Sequence, residues 1–159
     1  MKSRSSTSRS RNAPLLIVLR ILIAAALAID AVIHLQLAGN YQLAAPDGIG
    51  QGNLFRIQSA AAILAALYVL IRGSRASYVV AAVVALAAFV AVVLYRYVDV
   101  PAIGPIPAMY EPVWFFEKTL TAVAEGAAGL LAVVGFALLE RRQRRHMNDD
   151  ARQPSYDRP

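Results

Sequence analysis

"LFRIQSAAAILAALYVLIRGSRASYVVAAVVALAAFVAVVLYRYV", residues 54–98, holds two apolar runs parted by the short polar stretch "RGSRAS" (72–77). Crossing the hydrocarbon layer as a helix takes about 20 apolar residues, within a range of roughly 17–25. The runs 54–71 and 78–98 both meet that length. A connection as short as "RGSRAS" returns the second helix antiparallel beside the first. This stretch therefore reads as a transmembrane helical hairpin.

Outward from the hairpin, two further runs of the same kind occur, at about 15–38 and 115–139. The segment "GNYQLAAPDGIGQGN" (39–53), rich in Gly and Asn, is a loop. In "DVPAIGPIPAMYEP" (99–112) the repeated prolines forbid a regular helix. The expectation is an all-α fold: a four-helix transmembrane bundle of two antiparallel hairpins, forming one domain over 14–140. The tails, 1–13 and 141–159, are polar and without apolar periodicity, and are expected to be disordered.

Bulk composition agrees. The chain has 159 residues, 58% of them hydrophobic and 16% charged, with a mean hydropathy of +0.50. A soluble domain carries about 25% charged residues. The absence of cysteine excludes thiol exchange, thiolate metal sites and iron–sulfur clusters within this chain. The formal charge of +6 lies in "KSRSSTSRSR" (2–11), "RGSR" (72–75) and "ERRQRRH" (140–146), each flanking an apolar run. That is the pattern of membrane topology and anionic-lipid contact, not of nucleic-acid binding. The positive-inside rule puts both termini and the "RGSR" turn on the cytoplasmic side of the cell (plasma, inner) membrane, and the other two loops outside. "AAALA" (24–28) offers a signal-cleavage site, but Arg20 interrupts the apolar stretch before it and hydrophobicity continues to Leu37, so the first run is read as a span.

Ionisable residues inside spans are costly and mark function or helix pairing. Asp30 and His34 are four residues apart and so share one face of the first helix. In the fourth, Glu117, Lys118, Thr121 and Glu125 fall within an arc of about 100°. Arg56 and Ser59 begin the second helix at the same level, and Arg96 and Asp99 end the third there. The expected polar cluster is Asp30, His34, Arg56, Glu117, Lys118, Thr121 and Glu125, in the outer half of the bundle. Its charges are expected to pair, Asp30 and Glu117 with Arg56 or Lys118, and His34 or Arg96 with Glu125 or Asp99. Glu117 and Lys118 also admit a plainer role, at the headgroups beside Trp114, Phe115 and Phe116. Tyr95, Tyr97 and Tyr110 read as interfacial anchors. Ala124, Gly126, Ala128 and Gly129 form a small-residue stripe suited to close helix approach or self-association. The openings "NLFRIQSAAAIL" (53–64) and "VWFFEKTLTAVA" (113–124) echo one another faintly, as a duplicated hairpin would.

No phosphate loop, nucleophile motif or HExxH motif occurs, so no catalytic residue is assigned. A haem between helices takes two axial histidines, and only His34 lies in a span, which leaves a symmetric dimer as the source of the second. Asp30, His34, Glu117 and Glu125 suit a hard or borderline metal, but there is no Glu-x-x-His motif, and no metal is expected. No cofactor is expected either, with quinone or haem as the alternatives. A quinone or lipid-headgroup pocket needs only an apolar cleft with a few polar anchors.

"IHLQLAGNYQ" (33–42), "QGNLFRIQSAAAILAAL" (51–67), "LYRYVDV" (94–100) and "MYEPVWFFEKTLTAVAEG" (109–126) resemble an uncharacterised group of small four-helix membrane proteins from high-GC bacteria. The resemblance covers nearly all of the chain except its tails. In layout the chain is also similar to the DoxX-like superfamily, some of whose members are membrane subunits linked to quinone redox chemistry. Neither resemblance supplies catalytic residues to carry over. The expected role is a non-enzymatic accessory or quinone- or lipid-binding subunit, in contact with the bilayer and with a larger membrane complex or a second copy. The alternatives are a small proton-coupled transporter and a DoxX-like redox-associated subunit.

Overall fold

The computed structural model describes residues 13–44 and 49–152. It is a bundle of four helices: α1 (Ala13–Ala44), α2 (Gln51–Arg72), α3 (Arg75–Tyr97) and α4 (Phe116–Arg152). Each is long and apolar enough to cross a membrane, making this a multi-pass membrane protein. Around the bundle α1 packs on α2 and α4, and α3 packs on the same two. Side chains such as Leu15, Ile17, Val18 and Ile21 on α1, Leu64 and Ile71 on α2, Val83 and Val90 on α3, and Val123 and Leu130 on α4 face outward. In lipid that exposure costs nothing, because acyl chains are as apolar as leucine.

Two α-helical ends meet at the α2–α3 turn, and each is capped. Gly73 adopts φ 53° and its N–H bonds the Val69 carbonyl. The Ser74 side chain accepts from the Ser77 N–H at 3.3 Å and caps α3. The carbonyls freed at the end of α2 are met from α1: the Arg20 guanidinium donates to Val69 O at 2.9 Å and to Leu70 O. A cation at a helix C-terminus is favourable both as a donor and against the helix dipole. The rest of this half is filled mainly by apolar side chains, Ile23, Leu27, Val69, Tyr78, Ala81, Ala85, Ala128 and Ala132, all fully buried, with Ser77 buried beside them and bonded to the Ser74 carbonyl. Tyr78 reaches across it to donate to Leu16 O at 3.3 Å.

Small residues let α3 and α4 approach closely. A side chain at Gly129 would strike Leu86, and one at Gly135 would strike the Tyr78 ring. The small-residue stripe of α4 is thus used within the chain, with Ala124 and Ala128 buried.

The helices differ from expectation at their ends. α1 continues past 38 to Ala44, because Gly52 of α2 lies directly on Ala38 and Gln42, where no side chain would fit. α2 and α3 begin three residues early, at Gln51 and Arg75. The largest correction is at the C-terminus: 141–152, expected to be disordered, continue α4. Those residues include no Gly or Pro, and Glu140 accepts from Arg144 Nε at 3.2 Å, one turn on, while also pairing with Arg75. The first helix-breaking residue is Pro154. Residues 153–159 and the expected N-terminal tail up to 12 lie outside the described residues.

Between α3 and α4, residues 98–115 fold into a narrow ribbon. Val100 and Met109 exchange N–H···O bonds of 3.1 and 2.9 Å, and Ile103 and Ile106 exchange bonds of 3.0 and 3.1 Å. Gly104 and Pro105 form the turn, with Gly104 at φ 57°. Glycine at the first central position is what a tight two-residue hairpin turn requires. The ribbon is tied to its surroundings by Ile49 N–H to Pro105 O and by Glu111 N–H to Tyr95 O.

Gly73→Ala is expected to lower the thermal midpoint in detergent. The left-handed backbone costs a non-glycine residue about 1–2 kcal/mol, and the new methyl would also displace Arg20. Circular dichroism during heating checks this, with Gly39→Ala, where nothing lies within 4 Å, as the control.

Candidate functional site

Asp30 lies on α1 with 0% exposure, and His34 sits one turn nearer the ribbon, also buried. His34 Nδ1 lies 3.1 Å from the Asp30 main-chain carbonyl and donates to it in the tautomer that carries its proton on Nδ1. Asp30 Oδ1 stands 2.8 Å from the same nitrogen and accepts no hydrogen bond. Its other oxygen, Oδ2, accepts from Gln58 Nε2 on α2 at 3.1 Å. Below Gln58, Ser59 Oγ stands 2.9 Å from Ala31 O and 3.0 Å from Phe55 O, tying α2 to α1. The His34 ring meets Phe55 edge to face at 5.1 Å between centroids, and the Tyr41 ring meets Phe55 at 4.8 Å.

Opposite these groups α4 presents Thr121 and Glu125, again one turn apart. Glu125 is 0% exposed, and neither carboxylate oxygen has a hydrogen-bond partner. Thr121 Oγ1 is likewise buried and unpartnered. One ligand atom from each of Asp30, His34 and Glu125 lies within 4.8 Å of the others. Two pairs of polar residues spaced by four, one on α1 and one on α4, therefore face each other across the bundle. Among the described residues no Lys or Arg forms an ion pair with either carboxylate.

Above this cluster, toward the ribbon, opens a cavity of about 260 Å³. His34, Gln58, Thr121 and Lys118 border it, with walls from Leu37, Leu54, Phe55, Ala88, Val92, Tyr95, Met109 and Phe115. The ribbon closes over it through Glu111. Tyr41 OH donates to Glu111 Oε2 at 3.1 Å, and Lys118 Nζ donates to the Glu111 main-chain carbonyl. Lys118 also lies over the Trp114 ring, 5.5 Å from its centre.

Of the seven residues expected in the cluster, Asp30, His34, Thr121 and Glu125 come together and Lys118 borders the cavity above them. Arg56 and Glu117 do not join. Both are exposed, and Arg56 donates to Asn53 Oδ1 at 2.6 Å. At about 100° per residue Glu117 stands about 80° round the helix from Glu125, whereas Lys118 is only about 20° away. None of the expected carboxylate–cation pairs forms; the titratable groups close to Asp30 are His34, 2.8 Å away, and Glu125. Arg96 instead lies over the Tyr97 ring at 5.0 Å. Gln58, Tyr41 and Glu111 were not anticipated. Gln58 had a legible signal: it lies 200° round the helix from Arg56, at about 100° per residue, and next to Ser59. Glu111, in a proline-rich loop, had none.

No family model, no curated protein and no solved structure matches the chain.

Tyr41→Phe removes the bond that ties α1 to the ribbon. Hydrogen bonds to charged groups are worth about 1.5–3 kcal/mol. Amide exchange at Val100, Ile103, Ile106 and Met109 is expected to quicken by about tenfold, the equivalent of about 1.4 kcal/mol, with exchange in α2 unchanged. Hydrogen–deuterium exchange mass spectrometry in detergent measures it.

Proposed function

We propose that this protein is a non-enzymatic subunit of the plasma membrane whose ribbon-covered cavity binds the ring headgroup of an isoprenoid quinone. Its termini face the cytoplasm and the ribbon faces outward, as the arginine-rich flanks at the terminal end of the bundle imply. A role as accessory to a larger redox complex agrees with the DoxX-like layout.

The observation that carries the reading is the lining of the cavity: aromatic and aliphatic walls with uncharged or singly charged polar groups at both ends. An apolar cavity of about 150 Å³ holds a benzene molecule, so 260 Å³ holds a substituted ring. His34 and Tyr41 are seven residues apart on α1, which separates their backbone positions by about 10 Å along the helix. Thr121 and Gln58 stand with His34 at the deep end, and Tyr41, Tyr95 and Lys118 nearer the ribbon. Carbonyl oxygens at opposite ends of a ring match such a layout. A lipid phosphate matches it poorly, because Lys118 is the one cationic residue of the lining and Glu111 is anionic. Proton-coupled transport would need polar groups continuing through the other half, and that half is packed with Ile23, Leu27, Val69 and Tyr78.

The test is made on protein purified in mild detergent. A short-chain ubiquinone or menaquinone analogue is expected to raise the thermal midpoint in proportion to its concentration. Phe55→Ala should weaken that binding by about tenfold, since the ring that braces His34 and Tyr41 is lost. Stoichiometric anionic phospholipid in the extract, with no stabilisation by either quinone, overturns the reading.

A further inference from the structure

The cavity does not use the groups beneath its floor. Asp30 and Glu125 are completely buried, do not border the cavity, and hold three carboxylate oxygens with no hydrogen bond: Asp30 Oδ1 and both oxygens of Glu125. Leaving a buried carboxylate oxygen unsatisfied is among the costliest arrangements in a protein interior. The position is in the middle of a membrane-spanning bundle, with no arginine or lysine among the described residues paired to either acid. Something positive belongs there.

We propose that Asp30, His34 and Glu125 form a binding site for a divalent first-row transition-metal ion, held between α1 and α4. Donors about 2.1 Å from one tetrahedral ion stand about 3.4 Å apart. The three groups already bring a donor atom each to within 4.8 Å, so side-chain movement of about 1.4 Å at the widest pair brings all three onto one ion. Two carboxylates and one neutral imidazole carry two negative charges, which a divalent ion balances. The mixed oxygen and nitrogen set selects the class. Calcium and magnesium take oxygen ligands throughout, whereas imidazole with carboxylates suits manganese, iron or zinc.

The surroundings are those of a ligand set held in place. Gln58 donates to Asp30 Oδ2, while Oδ1, 2.8 Å from His34 Nδ1, accepts no hydrogen bond. Phe55 packs edge-on against the His34 ring and fixes its plane. Thr121 Oγ1, buried and unpartnered one turn before Glu125, is positioned as a fourth oxygen ligand or as the anchor of a bound water. Partners that orient ligands in this way set metal affinity. The site departs from the sequence expectation that no metal binds. That expectation rested on a missing Glu-x-x-His motif, which two residues on α1 and one on α4 do not need. The site shares His34 and Thr121 with the cavity of the quinone reading, but the two acids that would carry the ion do not border that cavity.

Equilibrium dialysis of tag-free protein, stripped with chelator and then titrated with Zn2+ or Mn2+ under a large excess of Mg2+, tests it. One ion per chain is expected to resist competition by Mg2+. Co2+ in the same site is expected to give a visible absorption band of a nitrogen- and oxygen-ligated ion. Glu125→Gln and Asp30→Asn should each weaken binding by at least tenfold, while the exposed Arg56→Gln and Glu117→Gln leave it unchanged. Should a core variant fail to fold, the wild-type titration decides alone. No Mg2+-resistant ion in the wild-type protein overturns the proposal, and so does an ion retained equally by a folded Glu125→Gln variant, which would place it at His146 or elsewhere. Quinone binding is read from the same samples by thermal shift, so either result can fail without the other.

Discussion

The hydrocarbon layer holds no water, and every polar atom placed in it must find its partner inside the protein. The architecture follows from that constraint. Backbone groups are satisfied within each helix, and where a helix ends at the α2–α3 turn a side chain from α1 supplies the missing donor. Arg20 is half-buried there because the Val69 and Leu70 carbonyls need it. Apolar burial does not drive helices together in lipid, so close packing and hydrogen bonds between helices take its place. Gly52, Gly129 and Gly135 allow the backbone approach, and Ser59, Gln58 and Tyr78 supply the bonds.

The same constraint divides the bundle along its length. The end carrying the "RGSR" turn is closed mainly by aliphatic side chains and one tyrosine, its buried polar groups taken up at helix ends. The ribbon end carries the polar interior, with a cavity above and a set of buried acids below. Glu111 links these layers, since its carboxylate receives Tyr41 from α1 while its main-chain carbonyl receives Lys118 from α4. The ribbon is therefore held by the two helices that also hold Asp30 and Glu125, so its position and the spacing of the acids are mechanically connected.

Much of the fold was legible because length and hydropathy alone decide what spans a membrane. The Asp30–His34 and Thr121–Glu125 stripes were legible too, since a spacing of four puts two side chains on one helix face whatever surrounds them. The facing of one stripe toward the other was not, because it depends on how α1 and α4 rotate about their axes. Arg56 and Glu117 show the limit. Each sits at the right level, yet a helical arc drawn without its neighbour cannot fix where its edge lies. Gln58 was overlooked because an uncharged amide carries little weight in a charge-based reading. The continuation of α4 beyond 140 was hidden by composition: the segment is polar enough for a disordered tail, but its residues are also good helix formers continuing an existing helix.

The depth of Glu125 has an electrical side. It lies nine residues into α4, about 14 Å from the start of the helix, in a hydrocarbon layer about 30 Å thick. A unit charge travelling from the ribbon side to that carboxylate crosses roughly half of any transmembrane voltage, which amounts to about 1 kcal/mol per 100 mV. Whatever cation settles on these acids, a proton included, has its occupancy tied to the polarisation of the membrane.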